Sequence, residues 1–340
     1  MQRFAEWLTT SRARALVGAA VLAFLALLLP FGSWLPGALV VLLAVHAASR
    51  VQNVAGPTEG TGAVLPAGGR TGQVLDDRAA ALVAAFTLAW WLLSAGAGAV
   101  PSALVTTALI LPPFLIGRLL ARGVPLTLTF QFTTLGALAF LCVVHLVLAD
   151  PPGVWRPFLE KLAAELDRMG AMMSNVGSGR RPQDAELIEA SAARMWGVVT
   201  WLLLLNTMVA AFAGLWWAGL AAKQPRLGPA FRQLKAGRTL AVVALVVTVA
   251  TLAFGWNLAA DATWVFLGAF VLQGLAVLHA MHHLFGLGTH WLVGTYVLLF
   301  LPFTTVFVLG GLAVFGFLDN WYPLRERLAA RDRRGGPGGT

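Results

Sequence analysis

The chain has 340 residues, of which 58% are apolar and only 11% charged, and its mean hydropathy is +0.77. Soluble domains carry about 25% charged residues, so this composition excludes a water-soluble enzyme. The single cysteine, Cys142, excludes an intrachain disulfide scaffold. No Asp, Glu, Lys or Arg occurs in 79–117, 123–149, 195–222, 239–260 or 262–318. Uncharged apolar runs of that length are membrane spans. The net charge of +9 sits mainly in short segments beside these runs, where cytoplasmic loops collect Lys and Arg. The expected partner is therefore the lipid bilayer, and no specific nucleic acid is expected.

In chain order, Arg3, Arg12 and Arg14 precede an apolar run at 15–29, and a second run begins at Trp34. No small-residue cleavage site separates them, so residues 1–49 read as a short uncleaved hydrophobic hairpin. Residues 50–78 are rich in Gly and Pro and read as a flexible cytoplasmic connector. Spans follow in 79–149. Pro112 and Pro113 fall inside one of them and predict a kink. Residues 150–194 are the one sizeable polar insert. Trp155, Phe158, Leu162, Leu166, Met169 and Met173 recur there at helical spacing, followed by a glycine break at Gly177 and Gly179. This predicts an extracytoplasmic amphipathic helical hairpin.

Further spans occupy 195–318. Lys223, Arg226, Arg232, Lys235 and Arg238 place five cations and no acid in one loop, the strongest cytoplasmic marker in the chain. That loop is a candidate contact for anionic lipid or a partner. The runs after it are expected at 240–256 and 264–283, separated by a loop holding only Asp261. The last stretch, 291–318, is about 42 Å as helix, too long for one untilted span, and Pro302 divides it. Residues 319–340 form a basic tail that belongs inside. An even number of spans, eight to ten, with both termini cytoplasmic, satisfies all these charges. The expected fold is all-α: a polytopic transmembrane bundle in a bacterial inner membrane. Most of the 13 tryptophans lie near proposed span ends, where an indole half-buried at the interface is favoured.

No acid or amine lies deep in a span on this reading, which argues against a pump built on buried carboxylates. The neutral polar candidates for binding a small molecule are Gln131, Asn206 and Gln273, although such amides also join helix to helix. His279, His282 and His283 share a helix face at i, i+3 and i+4 and are the nearest approach to a metal motif. No acid or cysteine completes that site, so no cofactor is expected. No nucleophile elbow and no phosphate-binding glycine loop is present, so an enzyme is not expected.

The stretch 291–299, the proline-marked run after it, and Gly316-Phe-Leu-Asp-Asn-Trp321 with Arg325 resemble the C-terminal signature of the YybS-like bacterial membrane proteins. That family is described only as a domain of unknown function. Its distant likeness to the substrate-binding subunits of energy-coupling-factor transporters implies a helical bundle with a polar pocket. The expectation is a transport-related protein that binds a small polar molecule, energised by a membrane or cytoplasmic partner protein. The competing expectation is a non-transporting scaffold whose basic loop and tail recruit a partner, anionic lipid or RNA.

Overall fold

A backbone in lipid must satisfy its own N–H and C=O groups, so long uncharged runs fold as helices. The computed structural model describes residues 2–10, 14, 17–18, 21–22, 34–55, 99–174, 182–286, 288–322 and 325. Among these residues the chain is all-helical, without strands. The elements are α1 (Gln2–Thr10), α2 (Trp34–Ala55), α3 (Ala99–Ala121), α4 (Leu126–Val147), a 3-10 turn (Pro152–Val154), α5 (Arg156–Ser174) and α6 (Pro182–Ala192). They continue as α7 (Met195–Ala222), α8 (Leu227–Arg232), α9 (Arg238–Phe254), α10 (Asn257–Phe285), α11 (His290–Phe300) and α12 (Pro302–Leu318). The expected features at 15–29 (beyond the few positions named), 56–98, Gly177, Gly179 and the tail after Arg325 lie outside the described residues.

Three helices, α4, α7 and α10, are long and apolar enough to cross a membrane, and α11 with α12 makes a fourth candidate if the bent pair counts as one. By length and composition these are the helices of a membrane protein. Pro112 and Pro113, where a kink is expected, lie inside α3. Two boundaries differ from the sequence reading. α2 runs on to Ala55, because after Pro36 and Gly37 in its first turn no Gly or Pro occurs before Gly56. The turn after α9 is Gly255–Trp256, with Gly255 left-handed at φ 63°, so Asp261 is not in a loop but in the second turn of α10.

The chain forms two compact units. One comprises 1–133, 205–235 and 276–283; the other comprises 134–204, 236–275 and 284–340. In the first, the core is built from Leu39, Val41 and Leu42 of α2, Ile110 and Ile116 of α3, Phe130 of α4 and Met208 of α7, all buried. Each fully buried side chain of this size contributes about 1.5–3 kcal/mol where the alternative is water, and less where it is lipid.

In the second unit α10 is central, and Val265, Phe266, Ala269, Phe270 and Leu272 are buried. α12 crosses it at two glycines. A Cβ on Gly316 would strike the carbonyl oxygen of Phe270, and one on Gly274 would strike that of Leu312. Close backbone approach of this kind needs small residues. α11 and α12 meet at Leu301 with a bend of 118°, as the length of the run and Pro302 imply. The bend frees carbonyls that hydrocarbon would leave unsatisfied. Two hydroxyls take them up: Thr304 Oγ1 donates to Leu298 O at 2.5 Å, and Thr305 Oγ1 donates to Leu299 O at 2.9 Å. The apex is highly exposed and apolar at Phe300, Phe303 and Phe307.

α5 and α6 pack against each other as a helical pair. Arg156 ties it, with Nε and Nη2 donating to Glu189 at 2.6 and 2.7 Å and Nη1 donating to Asp150 at 2.6 Å. The hydrogen bonds from Arg156 hold the Glu189 carboxyl below its ordinary pKa, and Glu189, then Asp150, raise that of Arg156. The apolar stripe Phe158, Leu162, Leu166 and Met169 is exposed along α5.

Candidate functional site

Two buried polar centres lie in the second unit, both anchored on α10. Asp261 and Gln273 are twelve residues apart on that helix, about 18 Å at 1.5 Å per residue.

The first centre is the carboxylate of Asp261, which is 1% exposed. His145, near the end of α4, approaches it with Nε2 at 2.9 Å from Oδ2. The backbone N–H of Gly197 donates to Oδ1 at 3.0 Å. Gly197 stands in the first turn of α7, where the N–H groups have no intrahelical acceptor. The carboxylate therefore caps a neighbouring helix, and its charge is placed where the helix dipole favours an anion. A side chain at Gly197 is incompatible with this packing: a Cβ there would lie 2.7 Å from Asp261 Cα and 2.8 Å from its carbonyl oxygen. Arg194, in the turn between α6 and α7, is in electrostatic range of Asp261. Its Nη1 is buried and has no hydrogen-bond partner among the described residues. Trp196 fixes the same corner by donating from Nε1 to Pro151 O at 2.9 Å and by edge contact with Trp155, ring centroids 5.3 Å apart.

A carboxylate shared by an imidazole and a helix terminus can hold a proton on the His–Asp couple without leaving a bare buried charge. The His145 side chain is 13% exposed against 1% for Asp261, so the imidazole is the member nearer the outside. With a guanidinium alongside, the corner also offers both signs of charge to a small polar molecule.

The second centre is saturated by its own members. Arg325 Nη2 donates to Asp319 Oδ2 at 2.5 Å and Nε to Oδ1 at 3.3 Å, with side-chain exposures of 9% and 0%. Gln273 Nε2 donates to Asp319 Oδ2 at 3.0 Å, and Gln273 Oε1 accepts from Ala236 N–H at 2.8 Å. Asn320 Oδ1 accepts from Gly237 N–H at 2.9 Å, and Arg238 Nε donates to Asn320 O at 3.2 Å. Asn320 Nδ2 closes onto Gly316 O at 3.1 Å. This arrangement locks the start of α9, the middle of α10 and the end of α12 together.

The residues singled out from sequence are distributed as follows. Gln273 is the hub of the lock, its amide engaged on both atoms. Gln131 donates from Nε2 to Lys235 O at 3.2 Å, beside Thr127 Oγ1 donating to Gln233 O at 2.8 Å, so it holds the basic loop to α4 within the first unit. Asn206 is half-buried in the middle of α7. Each of the two glutamines is thus taken up by groups of its own unit. His279 meets the edge of Phe231, ring centroids 5.2 Å apart. Gly286, left-handed at φ 60°, ends α10 after His282 and His283. Among the described residues, no group of three His, Cys, Asp or Glu side chains can hold a metal ion. Of the basic loop, Lys223 and Arg238 are exposed, and Arg226, Arg232 and Lys235 are half-buried.

Sequence reasoning missed the His145–Asp261 couple. The sequence pattern places Asp261 in a loop between two spans. The structure corrects this: α10 begins at Asn257 and carries Asp261 inside it, because His145 and Gly197 compensate the charge. The partners lie 116 and 64 residues away along the chain, so no local pattern reveals them. The one available signal is an acid standing alone between two long uncharged runs. Comparison with protein families, with curated proteins and with solved structures yields no match. Asp319, Asn320 and Arg325 of the C-terminal segment are residues of the lock.

Proposed function

We propose that this chain is a transport-related protein of a bacterial inner membrane, and that it binds a small polar molecule at the His145–Asp261–Arg194 corner. The observation that carries the reading is the buried Asp261 carboxylate, bonded to His145 and to a helix N-terminus inside an apolar helix. Ionisable groups within membrane helices are costly, and they mark substrate or proton paths. The buried, unbonded Nη1 of Arg194 beside that carboxylate supplies a donor for a ligand's anionic or carbonyl oxygen. His145 and Asp261 supply the complementary acceptor and a proton. Chemistry on the substrate is not part of this reading, since no nucleophile joins the couple.

The orientation follows from charge. The 223–238 loop and both termini face the cytoplasm. The α5–α6 hairpin then lies on the outer face, its exposed Phe158, Leu162, Leu166 and Met169 resting on the interface beside the corner.

The test is a thermal-shift screen of the detergent-purified protein against small carboxylates, amines and zwitterions, run in parallel on wild type, Asp261→Asn and Arg194→Gln. The expected result is a class of compound that stabilises wild type and neither variant. A panel that shifts none of the three, or shifts all equally, refutes the assignment of the corner as a binding site.

A further inference from the structure

At the far end of α7 from Gly197, the first unit holds an open pocket of about 550 Å³. This is within the size range of small-molecule sites. Lys223 and Arg226 line it, and among the described residues no acid does. Its remaining wall includes Trp216, Leu220 and Leu227, with Gln2 of α1 at one edge. α1 is held there by Phe4, which meets Trp217 edge-on at 6.4 Å, and by the fully buried Leu8.

The backbone shapes this pocket at a cost. α7 ends in a Schellman turn, with Gln224 N–H donating to Gly219 O at 2.9 Å and Lys223 N–H donating to Leu220 O at 3.3 Å. That motif needs a left-handed residue after the helix, which is ordinarily glycine. Here it is Lys223, at φ 55°, the one non-glycine residue with positive φ among those described. Cations at a helix C-terminus are favoured by the dipole, which accounts for basic residues here. It does not account for a recess with an apolar wall, nor for a lysine in the strained position.

Depth decides what fits. α7 has 28 residues, about 42 Å of helix, which matches a bilayer including its headgroup layers. Its last turn therefore lies at headgroup level, with the half-exposed Trp216 at the interface. We propose that this pocket is a binding site for the phosphate headgroup of an anionic phospholipid, with Lys223 and Arg226 pairing the phosphate and Trp216, Leu220 and Leu227 taking the glycerol and upper acyl carbons. The proposal stands apart from the transport reading, because no residue of the His145–Asp261–Arg194 corner takes part.

The test titrates delipidated full-length protein in neutral detergent with dihexanoyl phosphatidylglycerol, dihexanoyl phosphatidylcholine and free glycerol 3-phosphate, read by thermal shift and by native mass spectrometry. The expected result is saturable binding of the anionic lipid and not of the other two. Lys223→Gly with Arg226→Gln removes both cations while giving the turn its preferred residue, so the fold is retained. This variant should weaken binding about 30-fold. Lys223→Arg with Arg226→Lys should restore it. Arg122→Gln removes a cation outside the pocket and should leave binding unchanged. Equal binding of the choline lipid, equal binding of free glycerol 3-phosphate, or an equal loss in Arg122→Gln would overturn the proposal, since each removes either the headgroup, the lipid or the pocket from the explanation.

Discussion

The lock around Gln273 allows its energy to be worked out. Arg325→Met removes the guanidinium and leaves the Asp319 carboxylate, whose side chain is 0% exposed, with Gln273 Nε2 as its remaining donor in that centre. Stripping one partner from a buried ion pair costs about 3–5 kcal/mol, because the other charge stays desolvated. Asp319→Asn in the same background removes that stranded charge but keeps an oxygen to accept from Gln273. What remains is the loss of ordinary hydrogen bonds, about 1 kcal/mol. The double variant should therefore be more stable than Arg325→Met alone, by about 2–4 kcal/mol. A double-mutant cycle measured by equilibrium unfolding, with sodium dodecyl sulfate titrated into dodecylmaltoside micelles, gives this coupling directly. Trp321, which adjoins the motif and lies tilted against Phe317 with ring centroids 6.2 Å apart, contributes to the fluorescence readout. If Arg325→Met unfolds like wild type, or the two substitutions simply add, then the pair is not the buried compensated charge described above.

Three further outcomes are expected. Gly197→Ala inserts a Cβ against the Asp261 backbone and should push α7 from α10, destabilising by about 1–3 kcal/mol in the same assay; a neutral result would refute the close packing. Thr304→Val with Thr305→Val strands the Leu298 and Leu299 carbonyls at the α11–α12 bend, at about 1–3 kcal/mol each, while the same change at Thr295, whose hydroxyl only back-bonds to Trp291 O within α11, should cost little. The third outcome concerns pH. The folded Glu189 carboxyl is lowered from its ordinary 4.5, so its contribution to hairpin closure is complete above that value and is lost as pH falls through the lowered one. The pair is exposed, so the effect is small. Hydrogen-exchange protection in α5 and α6 should fall as the pH is taken below the ordinary carboxyl value in wild type, and Arg156→Gln should abolish that pH dependence.

The legible part of this fold is the part set by local chemistry. Pro302 in a run too long for one span marks the 118° bend, and Gly286 marks the end of α10, because each residue changes the backbone where it stands. The amphipathic stripe of α5 is likewise written at fixed spacing. Gln273 is visible as an amide in an apolar run, yet its lock partners Asp319 and Asn320 are 46 and 47 residues away, so its role as a hub is not visible. Asp261 is harder still. A lone acid between apolar runs has the pattern of a loop, and only tertiary compensation by His145 and Gly197 lets the helix run through it. α2 overran its expected end for a plainer reason: Arg50, Gln52 and Asn53 are polar, and polarity does not stop a helix as glycine or proline does.

One bond of the lock carries a consequence for biogenesis. Arg238, the last cation of the basic segment, donates to the backbone of Asn320, and Asn320 accepts from Gly237. Two stretches of chain some eighty residues apart are therefore joined, and on the proposed orientation they would emerge at one level of the bilayer. On that orientation their arginines would bias insertion in the same sense, so the topology would be set twice over. Neutralising either cluster alone should leave the molecule the right way round, and inverting it should require stripping both.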